Sequence, residues 1–216
     1  MQITIREPGS ALTHFIAMML AVFAAVPLLV KAGITSGGKE FTAMLIFISS
    51  MILLYGASTL YHSVNLCGNA LRAFRKLDHM MIFVLSAGSY TPVCLIVLGG
   101  QQGYTLLGVV WSIALVGMLI NAFWITCPKW FSSLIYSAMG WVCVFVFGQL
   151  LDTLPRAAFL WLLGGGIVYT IGGIIYALKL PIFNAKHKDF GSHEIFHLFV
   201  MGGSICHFIF MYTYVA

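Results

Sequence analysis

The sequence predicts an all-α membrane protein, namely a single bundle of seven transmembrane helices. Of its 216 residues, 61% are hydrophobic and only 8% are charged, whereas about 25% of the residues of a soluble domain are charged. The mean hydropathy of +0.99 agrees with this composition. Because so few charged residues cannot cover the surface of a soluble fold, we expect an integral membrane protein made almost entirely of spans.

Seven apolar runs are long enough to cross a bilayer, which requires about 17–25 residues of helix. Helices are expected because lipid cannot satisfy free backbone polar groups, and because the runs are continuous rather than alternating as in barrel strands. The connections leave no room for a soluble domain, so residues 1–216 are expected to form one domain. The predicted spans are about 11–31, 41–62, 77–99, 104–126, 131–151, 157–179 and 193–215.

The basic residues predict the orientation, because cytoplasmic loops carry an excess of Lys and Arg. Eight basic residues lie on the side of the N-terminus and three on the other. We therefore expect a multi-pass protein of the inner (plasma) membrane with a cytoplasmic N-terminus and an extracytoplasmic C-terminus. The formal net charge is +5, but the basic residues are scattered among short loops, which argues against a nucleic-acid partner. The first group is Arg6, Arg72, Arg75, Lys76, Lys129, Lys179, Lys186 and Lys188, and the second is Lys31, Lys39 and Arg156.

Polar and ionisable residues inside spans are costly, so each is a candidate functional residue. His193 and His197 are four residues apart, so both imidazoles lie on one helical face and can point at one metal ion. Ser58 and His62 repeat this spacing at the end of span two, and Asp78 stands at the start of span three. Since span two ends on the cytoplasmic side and spans three and seven begin there, all five residues are expected in one layer.

Three imidazoles fit a tetrahedral zinc ion with a fourth position left for water, which is the pattern of catalytic zinc sites. Asp78 is either the fourth ligand or the general base that holds the water, and Cys67 is another candidate for the fourth ligand. Ser58 can hydrogen-bond the site or stabilise an oxyanion, or it bonds only to its own helix. A site closed by four protein ligands would be structural rather than catalytic.

Four further ionisable residues are expected outside this site. His14 begins span one, and we expect it to cap the helix or lie at the interface rather than line the mouth of the cavity, which is the alternative. His79 faces about 100° away from the preceding carboxylate and is expected to pack around the site. His207 lies about 15 Å deeper than the histidine pair, so it is expected to bond across helices, and Glu194 faces away from that pair.

Glycine clusters in spans six and seven predict close helix packing rather than chemistry. The clusters are Gly164 to Gly166, Gly172 with Gly173, and Gly202 with Gly203.

Two classes of seven-helix protein are disfavoured. The last span has no lysine for a retinal Schiff base, and a receptor of the G-protein class would place its N-terminus outside.

Five stretches, in this order along the chain, resemble the haemolysin III proteins, which are bacterial relatives of the progestin and adiponectin receptors. Both groups belong to a wider superfamily with the alkaline ceramidases. The resemblance implies a zinc ion held by His62, His193 and His197, with Asp78 near the zinc water and Ser58 as the family serine. The stretches are EPGSALTH from Glu7, STLYH from Ser58, DHMMIF from Asp78, AGSYTP from Ala87 and HEIFH from His193.

Three functions remain open at this point. The first is zinc-dependent hydrolysis of a lipid amide or ester at the inner leaflet, a chemistry that the ceramidase resemblance supports. The second is a sensor or regulator of membrane fluidity in which zinc staples span two to span seven. The third is a pore-forming cytolysin, as the family name implies, although no row of polar residues runs through several spans. Membrane lipids are the expected partners, and no protein partner follows, because the long soluble N-terminal region of the animal receptors is absent.

Overall fold

The structure is a computed structural model. It describes residues 5–35, 37–124, 129–178 and 191–216, with the backbone alone between 129 and 133. Lys179, Lys186, Lys188 and the side chain of Lys129, which were used to predict the orientation, lie outside the described residues. Within those ranges the elements are α1 (Pro8–Thr35), α2 (Gly38–Ser63), α3 (Gly68–Pro92), α4 (Gly100–Phe123), α5 (Lys129–Trp141), α6 (Phe147–Thr153), α7 (Arg156–Leu178) and α8 (Ser192–Phe210), with π-helical turns at Val93–Leu98 and Met211–Val215 and a 3-10 turn at Val142–Val146.

Seven segments are long and apolar enough to cross a membrane, which confirms the predicted all-α bundle of seven helices. Helices α3 and α8 continue into their π-helical turns, and the fifth span, Leu134–Thr153, combines most of α5 with the 3-10 turn and α6. Tyr90 stabilises the 3-10 turn, because its hydroxyl donates to the Gly140 carbonyl oxygen at 2.8 Å and accepts from the Cys143 N–H at 2.9 Å. The side of the membrane on which each terminus lies stays a prediction from the charge count.

Helix α3 begins at Gly68, well before the predicted start of the third span near residue 77. Its first turns contain Arg72, Arg75 and Lys76, which favour helix but lower the local hydropathy, so an apolar window does not detect them. Asp78 was expected to be the second residue of the span. It lies instead well inside the helix and is 8% exposed.

The first and last spans are neighbours, and this contact closes the bundle. Helix α1 packs along α2, α2 packs along α3, and α8 packs against both α7 and α1. The main core between these helices includes the buried side chains of Phe47, Leu54, Tyr55 and Phe210. A second core cluster around Phe83 joins α3 to α4 and α5. The start of α1, the end of α2 and the start of α8 therefore meet at one end of the bundle.

Individual glycines allow α7 and α8 to approach closely. A Cβ atom on Gly172 would overlap the side chain of Phe199 in α8, and one on Gly203 would overlap the ring of Tyr169 in α7. Gly173 faces open space. Only some members of the predicted glycine clusters therefore serve close packing, as small residues do in membrane helices.

Gly172→Ala is expected to lower the free energy of unfolding by about 1–3 kcal/mol, because the added methyl group overpacks the contact with Phe199. Thermal unfolding of the purified protein in detergent measures the change. Gly173→Ala is the matched control and should be neutral or slightly stabilising, since alanine favours helix more than glycine does. Equal behaviour of the two variants would contradict the packing described here.

Candidate metal centre

Three histidines from two helices meet at one end of the bundle. His62 lies in the last turn of α2, and His193 and His197 lie one turn apart near the start of α8. The spacing of four residues puts His193 and His197 on one face of α8. His62 and His197 are 1% and 2% exposed, and His193 is partly exposed. The three side chains form a nearly buried cluster between α2 and α8.

The ring nitrogens of this cluster are close enough to hold one metal ion. One nitrogen from each histidine lies within 4.8 Å of the other two, and Nε2 of His62 is 3.3 Å from Nε2 of His193. Around a tetrahedral zinc ion with Zn–N bonds of about 2.0–2.1 Å, neighbouring ligand nitrogens lie about 3.3 Å apart. The donor set therefore fits zinc. Within the described part of the chain, no Cys, Asp or Glu joins this group.

Side chains from the beginning of the chain hold the outer nitrogens of two of these histidines. Nδ1 of His62 contacts the Glu7 carboxylate. Because a carboxylate only accepts hydrogen bonds, Nδ1–H donates, and Nε2 of His62 keeps its lone pair for a metal.

His197 is oriented in the same way by Thr13. Nδ1 of His197 is 3.2 Å from the Thr13 hydroxyl. That hydroxyl donates its proton to backbone oxygens three and four residues earlier, each at 3.0 Å. Its oxygen therefore accepts a hydrogen bond from Nδ1–H of His197, so that Nε2 of His197 is also unprotonated and free to bind a metal.

Glu7 ties the segment before α1 to the end of α2. Its backbone N–H donates to the His62 carbonyl oxygen at 3.0 Å, and its carboxylate is 3.3 Å from Nη2 of Arg6. Partial burial raises the pKa of Glu7, but the hydrogen bond with His62 and the charge of Arg6 lower it more. Its pKa lies below the ordinary value, so Glu7 is a carboxylate at neutral pH. The Arg6 guanidinium also lies 4.2 Å from the ring centroid of Tyr61, which holds the segment on α2.

Glu7→Gln is expected to weaken zinc binding by about 10–100-fold, the usual effect of losing a partner of a metal-binding histidine. An amide binds Nδ1–H less strongly than a carboxylate and no longer favours one tautomer of His62. Competition with a chelator on the purified protein measures the dissociation constant. Glu40→Gln, in the first turn of α2 at its other end, should leave the constant unchanged. An equal loss in both variants would show that Glu7 does not act through His62.

Asp78 and Ser58 lie together beside the histidine cluster. They are 8% and 1% exposed, and the Ser58 hydroxyl interacts with the Asp78 carboxylate. On the other side of that carboxylate, Nδ1 of His79 is 3.5 Å from Oδ2 of Asp78. Among the residues that the structure describes, the group within 4.8 Å contains the three histidines alone. The Asp78 carboxylate is therefore not a member of the group, although it interacts electrostatically with His62 and lines the same cavity as His193 and His197.

His14 lines the cavity, which is the alternative to the predicted capping or interfacial role. It is 4% exposed, and its ring stacks on His197 with ring centroids 3.5 Å apart. Tyr55 contacts it edge-on at 5.1 Å. Neither ring nitrogen of His14 has a hydrogen-bond partner in the described ranges. The difference arises because α1 begins at Pro8 and packs against α8, so its second turn is already inside the bundle.

The remaining candidates lie outside the group. Cys67 is exposed and immediately precedes α3. His207 contacts the ring of Tyr169 in α7, with ring centroids 5.3 Å apart, and its Nδ1 has no hydrogen-bond partner among the residues described. Glu194 accepts hydrogen bonds from the Ser10 hydroxyl and, at 2.8 Å, from the backbone N–H three residues before it. Glu194 therefore joins α1 to α8 and caps α8.

A cavity of about 640 Å³ extends from the cluster into the bundle. His193, His197, Asp78 and Ser58 line its polar end. The volume lies in the range of about 300–1,000 Å³ that is usual for ligand sites. Its other walls are mostly apolar and include Ile82, Leu85, Leu106, Phe147, Leu150, Phe159 and Leu162.

Sequence reasoning assigned no role to Glu7 and Thr13, and it did not place His14 against the histidine cluster. A signal existed for two of them, because Ser10, Thr13 and His14 lie three and four residues apart and form a polar stripe on an otherwise apolar helix. Glu7 offered no such signal, since it precedes the helix and pairs with a histidine 55 positions away.

Seven apolar spans and three histidines that could hold a metal ion define a multi-pass membrane protein with a candidate metal centre. A family model described as Haemolysin-III related matches residues 2–208. The chain is 35% identical over 209 residues to Hemolysin-3 of Bacillus cereus, covering 97% of this chain and 91% of that protein. It is 37% identical over 206 residues to the Hemolysin-3 homolog of Bacillus subtilis, covering 95% and 92%. The chain therefore belongs to the haemolysin III family, as predicted.

A more distant similarity reaches the animal receptors. The chain is 22% identical over 237 residues to the adiponectin receptor protein of Drosophila melanogaster, covering 94% of this chain and 49% of that receptor. This similarity fits the superfamily that the motifs indicated. The family and the seven spans also confirm the predicted location, a multi-pass protein of the plasma membrane.

Proposed function

We propose that this protein is a zinc-dependent hydrolase that cleaves an amide or ester bond of a membrane lipid at the predicted cytoplasmic surface. One observation carries the proposal. Two of the three histidines line the same cavity as Asp78 and Ser58, and that cavity has a volume of about 640 Å³. A metal that only closes the fold needs neither a carboxylate and a hydroxyl beside it nor a ligand-sized space.

The ligands of the proposed zinc ion are His62, His193 and His197. These three neutral imidazoles would hold the ion, which when bound would supply Lewis acidity to polarise a carbonyl group and to lower the pKa of a water. Glu7 and Thr13 hold His62 and His197 in the tautomer that this binding requires. Their contacts also fix both rings before a substrate enters.

Asp78 is the proposed general base, because its carboxylate lines the same cavity as His193 and His197 and does not belong to the group of three histidines. It accepts a proton from the attacking water while the water oxygen bonds to the carbonyl carbon. When the old bond to nitrogen or oxygen breaks, Asp78 returns this proton to the leaving atom. Ser58 orients the carboxylate or donates to the carbonyl oxygen as that oxygen gains negative charge.

A regulator of membrane fluidity that zinc staples together is the second candidate. The observation in its favour is that the ligands come from α2 and α8, which flank α1. A metal joining them stabilises the fold without chemistry, since binding free energy adds to folding. Cytolysis, the activity that the name of the Bacillus cereus relative describes, stays a prediction for this chain.

Hydrolysis by the purified full chain in lipid vesicles tests the first candidate. A fluorescent lipid amide and the matching lipid ester are offered to protein that carries zinc, to protein stripped by a chelator, and to stripped protein supplied with zinc again. We expect fatty acid release that is lost on stripping and restored by zinc. Zinc-loaded protein that releases no fatty acid from either lipid would overturn the hydrolase proposal.

A further inference from the structure

Three cations line the same cavity as the candidate metal centre. Arg72, Arg75 and Lys76 lie in the first turns of α3, six, three and two residues before Asp78, and they line the cavity together with Trp124 at the end of α4. Arg72 and Arg75 are exposed, and Lys76 is partly exposed. We call these three cations the basic rim, because they lie at the end of the cavity where the histidines are.

Two members of the basic rim, Lys76 and Arg72, have neutral hydrogen-bond partners in the structure. Nζ of Lys76 donates to the carbonyl oxygen of Ala122 at 2.5 Å, and Nη2 of Arg72 donates to Oδ1 of Asn69 at 2.5 Å. In the part of the chain that the structure describes, no Asp or Glu oxygen lies within 4.0 Å of a charged nitrogen of Arg72, Arg75 or Lys76. The rim therefore favours an anion from outside the described chain.

Arg75 connects the basic rim to the candidate metal centre. It precedes Asp78 by three residues, so the two share a face of α3, and Arg75 lies about 4.5 Å nearer the helix start. Tyr176 of α7 interacts electrostatically with both Arg75 and Asp78, and its ring centroid is 5.5 Å from that of His193. A group bound to Arg75 is therefore about one helical turn from the centre.

We propose that the basic rim binds the phosphate of an anionic glycerophospholipid whose acyl chain occupies the cavity. This inference rests on the proposed function and specifies its substrate class. In such a lipid the ester carbonyls lie between the phosphate and the acyl chains. Along α3 the cavity-lining residues follow the same order, because Arg72 and Arg75 precede Asp78 and the apolar side chains of Ile82 and Leu85 follow it. Guanidinium groups suit the outer position, because they bind phosphate oxygens in a bidentate manner.

The order of groups fits ester hydrolysis. One water is consumed, and the products are a fatty acid and a lysophospholipid. The water oxygen bonds to the carbonyl carbon, the bond from that carbon to the glycerol oxygen breaks, and Asp78 carries the proton from water to the glycerol oxygen. The phosphate is unchanged, so the rim serves recognition and holds the ester at the centre.

Orientation in the membrane alone does not account for the basic rim. The positive-inside rule places Lys and Arg near cytoplasmic helix ends, but it does not require these side chains to line a cavity. A zwitterionic lipid such as phosphatidylcholine brings its own positive charge to the rim. The rim should therefore distinguish anionic from zwitterionic lipids that have identical acyl chains.

Equilibrium binding to the purified full chain tests the inference, with the Asp78→Asn variant as background to prevent turnover. The probes are phosphatidylglycerol and phosphatidylcholine with the same acyl chains, and glycerol 3-phosphate as a phosphate without acyl chains. We expect phosphatidylglycerol to bind about tenfold more tightly than phosphatidylcholine. Replacing Arg72 and Arg75 together by glutamine should remove most of this preference, because phosphatidylglycerol binding should fall much more than phosphatidylcholine binding. Glycerol 3-phosphate should not displace the lipid at equal concentration.

Two controls test whether the lipid preference comes from the basic rim in particular rather than from positive charge anywhere on the protein. Arg156→Gln, an exposed arginine at the start of α7, should keep the full preference, and replacing Arg72 and Arg75 by lysine should keep part of it. Equal binding of both lipids, an unchanged preference in the glutamine variant, or displacement by glycerol 3-phosphate would each overturn the inference. Hydrolysis without a head-group preference would contradict this inference but leave the hydrolase proposal intact. If the chain that retains Asp78 binds the anionic lipid selectively but does not hydrolyse it, the hydrolase proposal is contradicted and the binding role of the basic rim is not.

Discussion

Replacing His193 or His197 by alanine is expected to remove most of the zinc from the purified protein, which should otherwise carry about one ion per chain. Each change deletes one of three nitrogens that lie within 4.8 Å of one another. Elemental analysis of protein purified without added chelator measures the occupancy. The melting temperature should fall in parallel, because a ligand at 100 times its dissociation constant contributes about 2.7 kcal/mol to folding.

His207→Ala is the matched control for these variants. It removes an imidazole from the same helix, but this ring packs against Tyr169 and lies outside the group of three. Zinc occupancy should be unchanged, although the lost packing can still lower stability. If His207→Ala emptied the site while His197→Ala kept its zinc, the proposed ligand set would be wrong.

Asp78→Asn is expected to abolish lipid hydrolysis while zinc stays bound. The amide has nearly the same shape as the carboxylate, but it cannot take a proton from water at neutral pH, and the loss of a general base lowers rates by about 10²–10⁴-fold. Zinc content, melting temperature and fatty acid release are measured on the same preparation. The first two should match the unchanged chain, because the carboxylate lies beside the three histidines rather than among them.

The comparison of Asp78→Asn with His197→Ala in one assay separates the two candidate functions. Loss of hydrolysis in both, with zinc retained only in Asp78→Asn, supports catalysis. In a fluidity regulator, Asp78→Asn should keep its effect on membrane fluidity, while His197→Ala should lose it along with the metal. Zinc loss from both variants would make Asp78 a ligand and contradict the open site.

Much of the fold could be predicted from the sequence, because the bilayer requires long apolar helices and seven such runs are visible. The start of α3 could not, since Arg72, Arg75 and Lys76 prolong a helix without being apolar. Hydropathy measures transfer into lipid, whereas helix formation at the membrane surface depends on backbone propensity and capping.

The candidate site divides in a similar way. The spacing of His193 and His197 is local, so one helical face could be read directly from the sequence. The partners Glu7 and Thr13 could not be read in this way. Their roles depend on which helices become neighbours of the start of the chain. Glu7 contacts His62, which is 55 residues away in the sequence, and Thr13 contacts His197, which is 184 residues away. Periodicity along one helix contains no information about which helices become neighbours.

The dependence of the centre on both ends of the chain has a consequence for biosynthesis. Glu7 and Thr13 leave the ribosome first, whereas His193 and His197 emerge only after six spans have been translated. During that interval α1 has no last helix against which to pack, and the nascent chain offers a metal ion only a single histidine of the three. If the centre binds a metal as proposed, its capture is therefore expected to be a late step of maturation, and chains released early should lack both the ion and the closing helix. The fraction of chains that retain metal should accordingly report how completely the protein has been inserted.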